Sequence, residues 1–170
     1  MAMFTAGADR KRFWRSGCCL CFPILLHILS AVPGRAQTLG VSSATGTPGE
    51  AMSVIISLDL PGGTRPTTLG WDTVFPSQLL EIEGEPAGGA SLNKLKKSLT
   101  CACRNAYSYR CIITGGSGGI ENGPVAMIRF RIKTDARPGL SAIRIDHAEA
   151  VSGDSRSKRL TGVDGVVDIR

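Results

Sequence analysis

Between Gly123 and Lys133 the chain reads Gly-Pro-Val-Ala-Met-Ile-Arg-Phe-Arg-Ile-Lys. Drawn out as a strand, this segment puts Ala126, Ile128, Phe130 and Ile132 on one side and Arg129, Arg131 and Lys133 on the other. After an Arg137-Pro138-Gly139 turn the pattern resumes, with Ile143 and Ile145 alternating against Arg144 and Asp146. A period of two belongs to strands with one dry and one wet face, and such a face is stable only when a second layer covers it. The two stretches are therefore expected as neighbouring antiparallel strands of a sandwich. If they pair as a hairpin, Arg129, Arg131, Lys133 and Arg144 gather into a basic stripe. That stripe reads first as a solvated face that discourages edge pairing, and second as a means of steering an acidic partner.

The rest of the chain is punctuated in the same style. Strands are expected over Thr38–Ser43, Ala51–Leu60, Thr67–Thr73, Leu79–Glu83, Ser98–Cys103, Tyr107–Thr114, Pro124–Thr134, Leu140–Ala150 and Val163–Ile169. Turn-forming runs separate them: Gly46-Thr47-Pro48-Gly49, Pro61-Gly62-Gly63, the Phe75-Pro76-Ser77 corner, and Glu85 to Gly89. Only Ser91–Ser98 has helical character, with Leu92 and Leu95 three apart. About nine short strands with Gly and Pro turns indicate an all-β sandwich or jelly roll.

Residues 1–36 are expected to be a signal peptide and 37–170 the folded domain. Arg10, Lys11, Arg12 and Arg15 precede the apolar run Cys18–Val32, and Gly34-Arg35-Ala36 supplies the small residues of a cleavage site. That run is shorter than a comfortable membrane span, so no span is expected once the signal is cleaved; an uncleaved N-terminal anchor is the other reading. The first 36 residues hold +4 of the chain's +6 net charge. The domain itself is close to neutral, which argues against nucleic acid as a partner. Export, to the periplasm or beyond, makes a disulfide the default for Cys101, Cys103 and Cys111. Cys101–Cys111 is the expected bridge, with Cys103–Cys111 the alternative. Three Cys and a distant His147 lack the paired spacing of a zinc site.

Four features fall in order along the domain. Thr47-Pro48-Gly49-Glu50 leads into the Val54/Ile56/Leu58 strand; Gly70-Trp71-Asp72 is followed by Phe75-Pro76-Ser77-Gln78-Leu79-Leu80-Glu81-Ile82; Gly123–Lys133 precedes Arg137-Pro138-Gly139; and Ala148–Asp154 precedes Gly165-Val166-Val167-Asp168-Ile169. This arrangement resembles the cohesin-like domain, a nine-stranded jelly-roll sandwich related in fold to some carbohydrate-binding modules. The resemblance covers nearly all of residues 37–170. Thr73-Val74-Phe75 between Asp72 and Pro76 is a small insertion against the usual pattern, and the Cys101…Cys111 pair is similar to that of variant cohesin-like domains in exported bacterial proteins. The resemblance implies a protein–protein module that binds dockerins through one sheet face.

The chemistry that remains is sparse. Gly115-Gly116-Ser117-Gly118-Gly119 matches Gly-x-Ser-x-Gly, but the nucleophile elbow requires a helix after the serine, and Ile120-Glu121-Asn122-Gly123-Pro124 is another turn. The loop is better read as a flexible connection. His147 shares the parity of Ile143 and Ile145 and is expected to be a packed or strand-end histidine rather than a catalytic one. Trp71 is expected in the core rather than as a sugar platform. Tyr107 and Tyr109, with Arg104 and Arg110, form the candidate binding surface, of the composition enriched at interfaces. The acids Asp146, Glu149, Asp154, Asp164 and Asp168 lack calcium-loop spacing, so neither a metal nor another cofactor is expected. The expected function is a secreted or periplasmic, non-catalytic binding module, most simply for a dockerin-like protein. The alternatives are a carbohydrate-binding module for a polysaccharide, or a structural surface protein. An exposed flat aromatic row on one sheet would favour glycan; a smooth apolar or charged sheet face without aromatics would favour protein.

Overall fold

The computed structural model describes residues 36–170; the expected signal segment lies outside the described residues except for Ala36. Thirteen strands and one short helix follow in order. They are β1 (Thr38–Val41), β2 (Ala44–Gly46), β3 (Ala51–Asp59), β4 (Thr68–Val74), β5 (Leu80–Ile82) and β6 (Ala87–Gly88), then α1 (Ala90–Lys94). After the helix come β7 (Ser98–Asn105), β8 (Ser108–Thr114), β9 (Gly123–Ile132), β10 (Gly139–Val151), β11 (Ser157–Arg159), β12 (Thr161–Val163) and β13 (Gly165–Ile169). One sheet runs β12-β1-β3-β9-β5, with β6 also on β9; the other runs β2-β13-β10-β4-β8-β7, with β11 on β10. The expected jelly-roll sandwich is present.

The alternation read from sequence builds the layer between the sheets. Leu39, Val54, Ile56, Leu58, Ile128, Phe130 and Ile132 are buried from the first sheet, and Leu69, Trp71, Ile113, Ile143, Ile145 and Val167 from the second. The indole of Trp71, fully enclosed, donates its N–H to Thr73 Oγ1 at 3.1 Å, so its one polar atom is satisfied inside the core. Phe75 packs edge-on against Phe130 with ring centres 5.2 Å apart.

Thirteen strands stand where about nine were expected; of the four additional ones, β6 pairs with β9 and β11 with β10, and β2 and β12 arise at the two ends of the domain. The first expected strand breaks at Ser42-Ser43, so that β1 pairs with β3 in one sheet and β2 pairs in parallel with β13 in the other. The last breaks at Asp164, with β12 on β1 and β13 on β10. The two breaks meet. A side chain on Gly165 would lie 2.5 Å from the Ser42 carbonyl oxygen, so only glycine fits the crossing. Ser42 Oγ accepts the Ile55 N–H and Ser43 Oγ the Val166 N–H, both at 3.0 Å, which supplies acceptors where the ladders are interrupted.

Two further expectations are corrected. β9 and β10 do not form a hairpin: β9 lies between β3 and β5, β10 between β13 and β4. The apolar face of each is buried against the other sheet, so the alternation that marks both strands does not by itself say which sheet each joins. Arg144 is therefore on the opposite sheet from Arg129, Arg131 and Lys133, and the four-residue stripe does not exist. The helix is also shorter than Ser91–Ser98. It ends at Lys94, and Lys96 follows at φ 53°.

Cys101 and Cys111 face each other across β7 and β8 and are joined, with Cα atoms 4.1 Å apart, while Cys103 is free and exposed. If the layer is as described, neighbours on β9 should differ sharply. Ile128→Ala is expected to cost about 2–5 kcal/mol in urea unfolding, and Met127→Ala less than about 1 kcal/mol. Equal losses would contradict the assignment of faces.

Candidate functional site

The outer face of the β7-β8-β4-β10 sheet is organised around one carboxylate. On β4, inward Trp71 and Thr73 leave Asp72 between them pointing outward, opposite Arg110 on β8 and Asp146 on β10. Asp72 is nevertheless only 2% exposed. Arg110 Nη1 donates to Oδ1 at 3.2 Å, and Arg104 reaches over from β7 to donate to Oδ2 at 2.6 Å. From the other side His147 Nδ1 stands 3.1 Å from Oδ2. Gly70 makes room for the arrangement: its missing Cβ would sit 3.2 Å from Arg110 Nη2.

His147 reaches Asp72 because β10 bulges. Between Asp146 and Glu149 the register slips against Asp72 and Gly70 of β4, and His147 adopts φ 48°. The expectation of a packed His147 is thereby corrected: its side chain is 71% exposed, and Ala148 takes the inward place instead. The bulge breaks the parity that the sequence argument assumed.

The sequence-derived surface is divided by the structure. Arg104 and Arg110 converge on Asp72. Tyr107, at the β7–β8 turn, is exposed beside a shallow groove lined by Val74, Phe75, Ala142 and Arg144. Tyr109 lies on the opposite face of β8, across from Thr73 and Cys103, half-buried against the core; burial, with Cys103 and Glu85 nearby, pushes its hydroxyl above the usual range. Asp72 and His147 were missed as site residues. Asp72 carried a usable signal, since an acid flanked by two inward residues in a strand must point outward. One apolar side chain borders the cluster, Ile112 opposite Gly70; Val166, opposite Ala142, and Leu140, which is 77% exposed, lie farther along the β10 and β13 end of the same face.

The outer face of the other sheet is simpler. Ile55 and Met127 lie opposite each other and are exposed. Glu83 is gripped by Arg131 and by Arg129, the latter at 2.9 Å. The hydrogen bond from Arg131, against partial burial and together with the Arg129 charge, holds the Glu83 carboxyl below the usual carboxylate range. A lowered carboxyl stabilises the fold above its unfolded value and ceases to do so as pH falls through the lowered one. The stability lost in Glu83→Gln at neutral pH should therefore shrink as pH drops through the carboxylate range, followed by urea unfolding. A pH-independent difference would contradict the ion pair.

Ser117 is exposed, and strand β9 rather than a helix follows its loop. The loop is tied down: Lys97, itself buried, donates through Nζ to Thr67 O at 2.8 Å and Gly115 O at 2.9 Å, and Ser117 N–H reaches Leu95 O at 3.1 Å. Among the described residues no three His, Cys, Asp or Glu side chains are grouped to hold a metal ion, and no helix is long and apolar enough to cross a membrane.

No protein-family model matches the sequence, and no curated protein sequence does. Solved structures match well. The sixth cohesin of scaffoldin B from Acetivibrio cellulolyticus, in complex with a dockerin, is 15% identical with a TM-score of 0.69, over 79% of this chain and 99% of its own. A non-cellulosomal cohesin from the archaeon Archaeoglobus fulgidus is 18% identical, TM-score 0.66, over 79% and 91%. The cohesin module of a family 33 glycoside hydrolase from Clostridium perfringens is 14% identical, TM-score 0.68, over 79% and 97%. The described domain is cohesin-like: it has the cohesin fold with a Cys101–Cys111 bridge.

Removing the hub carboxylate while leaving both guanidiniums tests the site's coupling to the fold. Asp72→Ala is expected to lower unfolding free energy by about 1–3 kcal/mol, discounted for the partly exposed arginines. An unchanged value in urea unfolding would mean that the cluster is ornamental to stability.

Proposed function

We propose that this chain is an exported, non-catalytic recognition module that binds a dockerin-type protein through the outer face of the β7-β8-β4-β10 sheet. The observation that carries the reading is the make-up of that face. Of the seven large apolar side chains left exposed among the described residues, four (Tyr107, Ile112, Leu140 and Val166) lie on it or at its rim, and Ile112 stands beside the cluster of bonded charges. Apolar anchors interspersed with arginine are the composition of protein interfaces. The polysaccharide reading needs a row of exposed aromatic rings. Trp71 is enclosed, and Tyr107 alone is a large exposed aromatic among the described residues.

Structural neighbours that are cohesins, several of them solved in complex with dockerins, support the type of partner. Export is proposed from the basic and apolar N-terminal segment, and the Cys101–Cys111 bridge suits an oxidising compartment.

The test is biolayer interferometry of the protein against a panel of purified dockerin modules, with a glycan array alongside. At least one dockerin should bind; Ile112→Asp should weaken it by about tenfold or more, and Ile55→Asp on the opposite sheet by less than about twofold. The reverse ranking would move the site to the other sheet. Glycan binding without any dockerin binding would replace the reading.

A further inference from the structure

We infer that the partner docks an aspartate- or glutamate-bearing segment on the Arg104–Arg110 pair. This rests on the reading of the face given above and names the chemistry that the face selects. Both oxygens of Asp72 are already engaged, by Arg110 at Oδ1 and by Arg104 at Oδ2. Two guanidiniums stand against the Asp72 carboxylate and, on the wall of the same depression, the Glu149 carboxylate, so the pocket is formally neutral and a docking acid is held by the free N–H donors rather than by excess charge. Arginine carries five N–H donors, and Asp72 takes one from each. Arg110 makes one further long contact, 3.5 Å to the His147 carbonyl. The remaining donors face an open depression with Ala102, Cys103, His147 and Glu149 around it.

The other acids of this face are occupied. Ser157 Oγ donates to Glu149 Oε1, and Asp146 lies 3.9 Å from Arg144. Small neighbours keep the arginines open, since Ala102 is opposite Arg110 on β7 and Gly70 is beneath its guanidinium. A planar guanidinium whose orientation is already set by a buried acid is a preorganised receptor for a second carboxylate, which accepts two parallel N–H bonds. Ile112 beside it supplies the apolar surround that excludes water from the contact.

The probe is a capped hexapeptide of alternating aspartate and glutamate between glycines, with its asparagine/glutamine counterpart as control. Both are titrated into the ¹⁵N-labelled full chain while the arginine Nε–Hε signals are followed by NMR. The acidic peptide should shift Arg104 and Arg110 saturably and the amide peptide should not. Arg104→Gln should weaken the peptide by about fivefold or more. A second variant leaves Asp72 and both arginines in place: Ala102→Glu fills the depression from within the chain and should abolish the shifts.

Equal response to the amide peptide, equal shifts at Arg156 and Arg159, or indifference to Ala102→Glu would each overturn the inference. Failure of the peptide while Ile112→Asp still destroys dockerin binding would leave the face as the binding site and remove only its preference for acid. A peptide that docks while Ile112→Asp leaves dockerin binding intact would do the opposite.

Discussion

The packing of one apolar strand face upon another decides everything else in this domain. Ile128 and Phe130 of β9 and Ile143 and Ile145 of β10 each belong to a strand that is wet on its other side, and neither strand can bury its apolar side chains within its own sheet. Placing them on opposite sheets solves both problems together. It also determines which residues remain outside: every second position of β4, β8 and β10, and with them the materials from which a recognition surface is made.

A sandwich closed in this way must handle its edges and its chain ends. Here the terminal strands change sheets part-way, β1 to β2 and β12 to β13, and the two changes happen side by side. Glycine at position 165 removes the steric conflict, and the Ser42 and Ser43 hydroxyls replace lost ladder acceptors. The disulfide ties the outermost hairpin, β7–β8, to itself next to the cluster that Arg104 and Arg110 build. On the outer face of β7-β8-β4-β10, the buried Asp72 carboxylate is what orients the two guanidiniums.

The sequence conveyed the periodic part of this well. Alternation identified β3, β9 and β10, the Gly and Pro runs placed most turns, and the parity of Cys101 and Cys111 allowed their bridge. What it could not convey were features with no period. The Asp146–Glu149 bulge shifts parity by one, so His147 moved from an expected packed position to the surface. Which sheet a strand joins is a long-range choice, so two alternating neighbours looked like a hairpin and are partners across the core. The candidate site was half legible. Arg104, Arg110 and Tyr107 were flagged by type, but their meeting point at Asp72 depends on Gly70 and on the β10 bulge. Tyr109 was grouped with them by closeness in sequence alone, although alternation puts it on the inner side of β8.

The functional account therefore stands on a contrast between two outer faces. One carries Tyr107, Ile112, Leu140 and Val166 together with a bonded charge cluster; the other carries Ile55, Met127 and, on β12, Val163, with the Glu83 ion pairs. Hydroxyl-radical footprinting of the chain with and without a bound dockerin compares the two directly, because both faces hold exposed, oxidisable side chains. On this account Tyr107, Ile112 and Leu140 lose reactivity in the complex while Met127 keeps it. Protection of Met127 with Tyr107 and Leu140 still reactive would contradict it.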